Sequence, residues 1–234
     1  MSYDFLYKIV IMGDSNSGKT CFLNKYISNI NLNTSLPTIG VDFNAKVVDV
    51  GNNKKVKIHL WDTSGNKNFR SIARTYFMGV AGGILIYNTA IRDTFGNLTA
   101  WLDDFNLTNN YKSIPIMLIG ANFGKHREVS LDEGRDYAKI NNLFFSEINL
   151  TDKQPISSDE NELLQPLLDR IWERYILQNK VCTGVKKMCC DKKPQKPQKP
   201  QKPQKPPTES IFKRAMNELK LHKDDLKTDG CIIC

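Results

Sequence analysis

The sequence predicts an α/β fold in which a mostly parallel sheet is flanked by helices. Apolar runs alternate with helical patterns from residue 5 to about residue 180. Two Val/Ile-rich runs, at 81–87 and 114–120, are apolar on both faces, as central parallel strands are. An Asn-containing turn at 51–53 separates two strand-like runs, which is typical of a hairpin at a sheet edge.

Six strand-like runs follow one another at 5–12, 41–50, 54–61, 82–87, 114–120 and 142–148. Helical spacing of apolar residues fills the intervals, beginning at Gly18 and then at 94–107, 131–140 and 159–178. The last helix has a wide apolar face, so we expect it to pack on the sheet. Pro166 either kinks this helix or marks its first turn. The predicted architecture is therefore a six-stranded, mostly parallel sheet with flanking helices.

Composition and charge restrict the class of protein. The 234 residues are 40% hydrophobic and 25% charged, which suits one sizeable core. No apolar run reaches the length of about 20 residues that a membrane-spanning helix needs. The net charge of +8 lies almost entirely after residue 185, where 13 basic residues accompany 6 acidic ones, against 20 and 19 before it. A near-neutral body with a basic tail favours an anionic surface, rather than nucleic acid, as the partner.

The N-terminus carries neither a basic and apolar leader nor a glycine at position 2 for myristoylation, so we expect a cytosolic chain. Of the six cysteines, only Cys21 lies in the predicted body, which excludes a disulfide framework for the core.

A phosphate-binding motif stands between the first predicted strand and the first predicted helix. Residues 13–20 read Gly-Asp-Ser-Asn-Ser-Gly-Lys-Thr and match the P-loop pattern GxxxxGK[ST] in the context that it requires. Backbone N–H groups of such a loop surround a phosphate, its lysine supplies the counter-charge, and its last hydroxyl ligates Mg²⁺. The predicted nucleotide-binding residues of this segment are Gly13, Ser15, Asn16, Ser17, Gly18, Lys19, Thr20 and Cys21.

Asp62 ends the next long strand after the hairpin, where an aspartate can hold the metal through water, although an aspartate at a strand end is also a common turn former. Around it, five segments carry information on the family through their order and spacing: IGVDF at 39–43, KIHLW at 57–61, NFRSI at 68–72, YFMGV at 76–80 and LIYNTA at 85–90. With these segments, the chain resembles the Rab family of Ras-like small GTPases over residues 5 to about 180.

The resemblance implies a P-loop small GTPase fold that binds GTP or GDP with Mg²⁺ and acts as a monomer. It implies that Thr38 senses Mg²⁺ and the γ-phosphate in switch I, and that the Gly65 amide senses the γ-phosphate in switch II. The implied metal site is Thr20, Thr38 and Asp62. The implied effector surface is Ile39, Phe43, Trp61 and Phe77, with core packing as the alternative for its three aromatic residues.

Two departures from the family pattern affect the expected chemistry. Asn66 stands where the family has the glutamine that orients the attacking water, so we expect slow GTP hydrolysis. At the base end, Asn122 stands in for the asparagine of Asn-Lys-x-Asp, but no aspartate follows it, residues 149–151 replace the Ser-Ala-Lys loop, and Asn31 replaces the aromatic that flanks guanine. We therefore expect weakened guanine selectivity.

The predicted GTPase domain covers residues 1–180 and precedes a tail of different character. Residues 181–207 form a hypervariable, basic and Pro-rich linker, expected to be disordered, in which Lys-Pro-Gln repeats four times at 193–204. The lysines of this polyproline II segment form a stripe for an anionic surface, or only keep a solvated spacer extended. Residues 208–230 contain a possible amphipathic helix that lies on a membrane or docks on a partner.

Residues 231–234 read Cys-Ile-Ile-Cys, which predicts prenylation of Cys231, or of Cys231 and Cys234 together. The Lys-rich stripe, or palmitoylation of Cys189 and Cys190, is a candidate second membrane signal.

These features favour a Rab-like GTP-binding switch in vesicle traffic, anchored to the cytoplasmic face of an intracellular membrane and exchanging with the cytosol. Its expected partners are guanine nucleotide, the membrane, and effector and regulator proteins. The first alternative is a pseudo-GTPase scaffold that presents the effector surface without cycling. The second is a P-loop protein that binds nucleoside triphosphates without selecting the base.

Overall fold

A computed structural model gives the architecture of the chain and describes residues 3–28, 38, 40–50, 54–109, 114–152, 163–177 and 185–187. All of them lie in the unit Met1–Cys190. The strands are β1 (Phe5–Met12), β2 (Val41–Asp49), β3 (Lys55–Thr63), β4 (Gly82–Asn88), β5 (Ile116–Asn122), β6 (Phe144–Asn149) and β7 (Val185–Lys187). The α-helices are α1 (Lys19–Ser28), α2 (Arg70–Phe77), α3 (Arg92–Gly96), α4 (Leu98–Thr108), α5 (Leu131–Ile140) and α6 (Gln165–Leu177), and a 3₁₀ turn spans Lys67–Phe69.

The sheet has the order β2-β3-β1-β4-β5-β6. Strand β2 pairs antiparallel with β3, and the remaining neighbours on this path are parallel. The predicted six-stranded, mostly parallel sheet with flanking helices is therefore confirmed. Because parallel strands place their carboxyl ends at one edge, the loops after β1, β3, β4, β5 and β6 meet there.

A seventh, three-residue strand joins the sheet where the sequence predicts a linker. Strand β7 pairs antiparallel with the first half of β1, from Phe5 to Tyr7, beyond the point where β4 begins to pair with β1. Residues 185–187 of the predicted linker therefore pair with the sheet. The rest of the predicted linker, the predicted 208–230 helix and the prenylation motif lie outside the described residues.

Buried side chains form one apolar layer on each face of the sheet. Alternate residues of β1 go to opposite layers, Ile9 and Ile11 to one and Val10 and Met12 to the other. Helices α1 and α6 cover the first layer, and α2, α4 and α5 cover the second. The expectation that the last helix packs on the sheet is confirmed, and Pro166 lies in its first turn, where a missing N–H removes no helical hydrogen bond.

The predicted helix at 94–107 is interrupted. Helix α3 ends at Gly96 and α4 begins at Leu98, with Asn97 between them. At the interruption, Nδ2 of Asn97 donates to Oδ2 of Asp14 at 2.6 Å. Residues 51–53 and 159–162, for which a turn and the start of the last helix are predicted, lie outside the described residues.

Within the part of the chain that the structure describes, no helix has both the length and the apolar character needed to cross a bilayer.

Candidate functional site

The predicted phosphate loop connects β1 to α1 at the carboxyl edge of the sheet. Its backbone requires glycine at both ends. Gly13 has φ +141°, and a Cβ atom there would lie 2.2 Å from the carbonyl oxygen of Ile86. Gly18 has φ +100°. Between them, the Ser17 N–H donates to the Asp14 carbonyl at 3.2 Å, so the loop curls around the N-terminus of α1, where free N–H groups favour an anion.

Lys19 places a buried cation across this loop. Lys19 is only 6% exposed, and its Nζ donates to the Asp14 carbonyl at 2.8 Å. Burial lowers the pKa of Lys19 to about 8, and the carboxylates of Asp62 and Asp14 oppose that shift. A cation that has already lost its water is suited to binding a phosphate anion.

Three oxygen-bearing side chains converge beside the lysine. Oγ1 of Thr20 donates to Oδ2 of Asp62 at 2.6 Å and lies 2.9 Å from Oγ1 of Thr38, which in turn lies 3.5 Å from Oδ2 of Asp62. Asp62 is fully buried, and its burial raises its pKa while Lys19 lowers it. The three residues predicted to bind the metal are thus in mutual contact.

This cluster fits a Mg²⁺ ion. Hydroxyl and carboxylate oxygens are the ligands that Mg²⁺ prefers. The second carboxylate oxygen of Asp62, Oδ1, is buried and accepts no hydrogen bond from the described residues, which is a costly arrangement unless a cation occupies it. Thr20, Thr38 and Asp62 would hold the ion, directly or through water, and the ion would neutralise charge on phosphate oxygens.

Gly65 lies directly on the phosphate loop. Its carbonyl accepts the Ser15 N–H at 3.1 Å, and a Cβ atom on Gly65 would lie 2.4 Å from both the Asp14 carbonyl carbon and the Ser15 nitrogen. These are backbone atoms that have little freedom to move. Only glycine therefore permits the segment after β3 to approach the loop this closely.

The Asn66 side chain makes a local hydrogen bond in the segment after Gly65. It is exposed, and its Oδ1 accepts the Asn68 N–H at 2.9 Å, so the side chain caps the 3₁₀ turn that follows. Oδ1 of Asn66 is therefore engaged by the backbone of its own segment.

The remaining predicted loop residues differ in their surroundings. Ser15 and Asn16 are exposed, and the Asn16 carbonyl accepts Nδ2 of Asn88 at 3.1 Å. Ser17 is fully buried. Cys21 lies in the first turn of α1, and its side chain is part of the apolar layer that α1 and α6 cover.

At the base end, the loops after β5 and β6 hydrogen-bond to each other and within themselves. Oδ1 of Asn122 accepts the Gly124 N–H at 2.8 Å, and the Asn122 carbonyl accepts the Leu150 N–H at 2.8 Å. Oδ1 of Asn149 accepts both the N–H and the hydroxyl of Thr151, at 3.0 and 2.8 Å. Asn31, predicted to replace a base-flanking aromatic, lies outside the described residues.

A buried lysine on α1 anchors the loop after β6. Nζ of Lys25 donates to the carbonyls of Asn149 and Asp152 at 2.8 and 2.7 Å, and the residue is 2% exposed. Burial lowers the pKa of Lys25, and Asp152 opposes that shift. The sequence analysis missed this contact because its partners are backbone carbonyls more than 120 residues away.

The predicted aromatic surface needs one correction. Phe77 is fully buried and packs 5.7 Å from the ring of Phe105, so it is a core residue. Its neighbour Tyr76 takes the surface position, 5.5 Å from Trp61, which lies 5.0 Å from Phe43. Helix phase explains the exchange, because Ala73 and Phe77, four residues apart, share the buried face of α2. Ile39 lies outside the described residues.

Helix α4 contributes residues that the sequence analysis missed. Nε1 of Trp101 donates to Oδ1 of Asp14 in the phosphate loop at 2.7 Å. The Arg70 guanidinium lies 4.8 Å from the Trp101 ring, and both Arg70 and Arg74 pair with the buried Asp104, each at 2.5 Å. The helix thus connects the phosphate loop to α2. The signal was present in the spacing of Asn97, Trp101 and Asp104, one turn apart on one face.

Comparison with known proteins agrees with this geometry. The Ras family model matches residues 8–168. Two relatives, both named Ras-related protein Rab-4B, from Rattus norvegicus and from Homo sapiens, are each 36% identical to the chain over 187 residues, which cover 79% of this chain and 87% of the relative. The chain therefore belongs to the Rab family of Ras-like small GTPases.

Proposed function

We propose that this chain is a GTP-binding switch of the Rab type that operates in vesicle traffic on the cytoplasmic side of an intracellular membrane. The observation that carries the proposal is the contact of Thr20, Thr38 and Asp62 beside the buried Lys19. Thr38 belongs to a different segment from the loop and the strand that it contacts. Binding of a metal–phosphate group by Thr20 and Asp62 would therefore affect the position of Thr38.

We propose further that hydrolysis is slow. The reaction adds water to the γ-phosphorus and releases phosphate and GDP, so its rate depends on how well the water is positioned. Asn66 is one methylene shorter than glutamine, and its Oδ1 is engaged by the Asn68 N–H. Both facts support a long-lived triphosphate-bound state.

The exposed aromatic residues support contact with effector proteins. Phe43 is 45% exposed and Trp61 and Tyr76 are half-buried, so the three rings form an apolar surface beside the nucleotide site. Prenylation of Cys231, alone or with Cys234, together with the Lys-Pro-Gln repeats, would attach the chain to an anionic membrane.

A pseudo-GTPase scaffold is the second candidate, and the cap formed by Asn66 is the observation that favours it. Such a protein would present the aromatic surface without turnover. The two candidates differ in whether effector contact depends on phosphate binding.

The test is calorimetric titration of the full chain with GTP and Mg²⁺, beside Lys19→Ala and the control Lys67→Ala, which changes an exposed lysine of the 3₁₀ turn. We expect Lys19→Ala to weaken binding by about 100-fold or more, the loss of a buried charge-assisted contact, and Lys67→Ala to change it by less than about threefold. Equal binding by the wild type and Lys19→Ala would refute the proposal. A partner captured equally well by wild type and Lys19→Ala would favour the scaffold.

A further inference from the structure

The loops after β5 and β6 lie beside the phosphate loop, where the base of a bound nucleotide would contact them. Strand β5 is the second strand from β1 on one side of the sheet. Its carboxyl end reaches the phosphate loop, since a Cβ atom on Gly18 would lie 3.1 Å from Cβ of Ala121. The loops 123–130 and 150–152 begin there.

The amide and carbonyl oxygens at the ends of β5 and β6 already accept hydrogen bonds from their own loops. Guanine differs from adenine in presenting N1–H and an amino group at C2, both donors that need an acceptor on the protein. Three acceptors at the ends of β5 and β6, Oδ1 and the carbonyl of Asn122 and Oδ1 of Asn149, each accept an N–H from the loops themselves. The Leu150 N–H, which has the right polarity to donate to guanine O6, already donates to the Asn122 carbonyl.

What the two loops offer beside the phosphate loop is apolar surface. A Cβ atom on Gly18 would lie 3.0 Å from Cζ of Phe123, 3.1 Å from Cβ of Ala121 and 3.2 Å from Cδ1 of Leu150. Ala121 and Leu150 are buried, whereas Phe123 is only half-buried and packs at the margin of the apolar layer. Among the described residues at this end of the site, Phe123 is thus a half-buried aromatic ring next to the phosphate loop.

We propose that Phe123 determines the base specificity of this chain, selecting purine over pyrimidine nucleotides by stacking without separating guanine from adenine. The proposal rests on the proposed function, since the phosphates must be held by the loop at Lys19. Stacking recognises the area and polarisability of a base, and every purine has a similar face. A face-on contact cannot replace the edge-on contacts that reject the wrong base.

The test is calorimetric titration of the full chain, with Mg²⁺ throughout, using GTP, ATP, UTP and inorganic tripolyphosphate. In the wild type we expect GTP and ATP to bind within about threefold of each other, and both to bind about 5- to 100-fold more tightly than UTP. Phe123→Leu, which keeps apolar bulk but removes the ring, should weaken GTP and ATP by about 5- to 100-fold and leave tripolyphosphate unchanged. Phe123→Tyr, which keeps the ring, should retain the purine preference.

The possible results separate this proposal from the one on which it rests. A preference of about 30-fold or more for GTP over ATP, or an unchanged purine-to-UTP ratio in Phe123→Leu, would overturn the assignment of Phe123 while leaving phosphate binding intact. Failure of the wild type to bind tripolyphosphate and all three nucleotides would overturn the proposed function itself. Parallel weakening of every ligand, tripolyphosphate included, would show that Phe123→Leu acts through the phosphate loop and would also overturn the assignment.

Discussion

Replacing Asp104 tests whether α4 holds α2 in place. Its carboxylate is 6% exposed and pairs with Arg70 and Arg74, whose side chains are 25% and 45% exposed. A net charge-assisted hydrogen bond contributes about 1.5–3 kcal/mol, and an exposed ion pair about 0.2–1 kcal/mol. The hydrogen bond is the one that Nη2 of Arg74 donates to Oδ1 of Asp104, whereas Nε of Arg70 lies 2.5 Å from Oδ2 as an ion pair and its guanidinium lies over Trp101. We expect Asp104→Ala to lower the free energy of unfolding by about 2–3 kcal/mol.

Urea denaturation of the full chain measures this loss, and Asp103→Ala is the matched control because Asp103 is exposed on the same helix. The control should change stability by less than about 0.5 kcal/mol. Amide exchange in Arg70–Phe77 should accelerate in Asp104→Ala more than in Asp103→Ala, because α2 would lose its attachment. If the two variants had the same stability and the same exchange rates, the pairing with Asp104 would contribute nothing and the reasoning would be wrong.

Three further predictions concern single positions. Asn66→Gln should raise the single-turnover rate of GTP hydrolysis by about 10- to 100-fold, because glutamine is longer and caps a helical turn poorly. The control Asn66→Ala should not raise the rate. An unchanged rate in both variants would show that another step limits turnover. Gly65→Ala should destabilise the fold by about 1–3 kcal/mol in urea, since its Cβ would meet loop backbone atoms, and wild-type stability would contradict that close approach. The hydrogen bond from Arg92, followed by the Ser130 N–H, lowers the pKa of Glu133 from 4.5 to about 2. A carboxyl group whose pKa is lower in the folded than in the unfolded state stabilises the fold at pH values above its unfolded pKa. The contribution of Glu133 to stability should therefore be lost as the pH falls from 4.5 towards 2. Glu133→Gln should remove that part of the pH dependence in acid-unfolding curves.

The strands and the phosphate end could be predicted because their signals are local. Runs apolar on both faces identified β4 and β5, and the glycines of the loop 13–20 indicated a tight turn with positive φ angles. Asp62 followed from its position at a strand end, since parallel strands bring their ends to one edge. The contact of Thr38 with Thr20 could be expected only through the family resemblance.

Features that depend on helix phase or on distant partners were beyond the sequence. Residues 76 and 77 are both aromatic, and only the burial of α2 on Ala73 and Phe77 shows which one faces outward. The absence of a base-binding carboxylate was visible in the sequence. The pairing of the Leu150 N–H with the Asn122 carbonyl was not, because it depends on how two loops meet. Strand β7 has no periodic signal in three residues, and its position depends on the edge of the first half of β1 that β4 does not pair with.

The rate at which bound GDP dissociates when Mg²⁺ is chelated tests the central claim most directly. If Thr20, Thr38 and Asp62 hold the ion against the phosphates, chelation should accelerate release from the wild type by about tenfold or more, equivalent to about 1.4 kcal/mol or more. Asp62→Ala should release GDP quickly with or without the ion, and Asp49→Ala, an exposed position on β2, should behave as the wild type does. A release rate that is independent of Mg²⁺ in the wild type would contradict the account of the site.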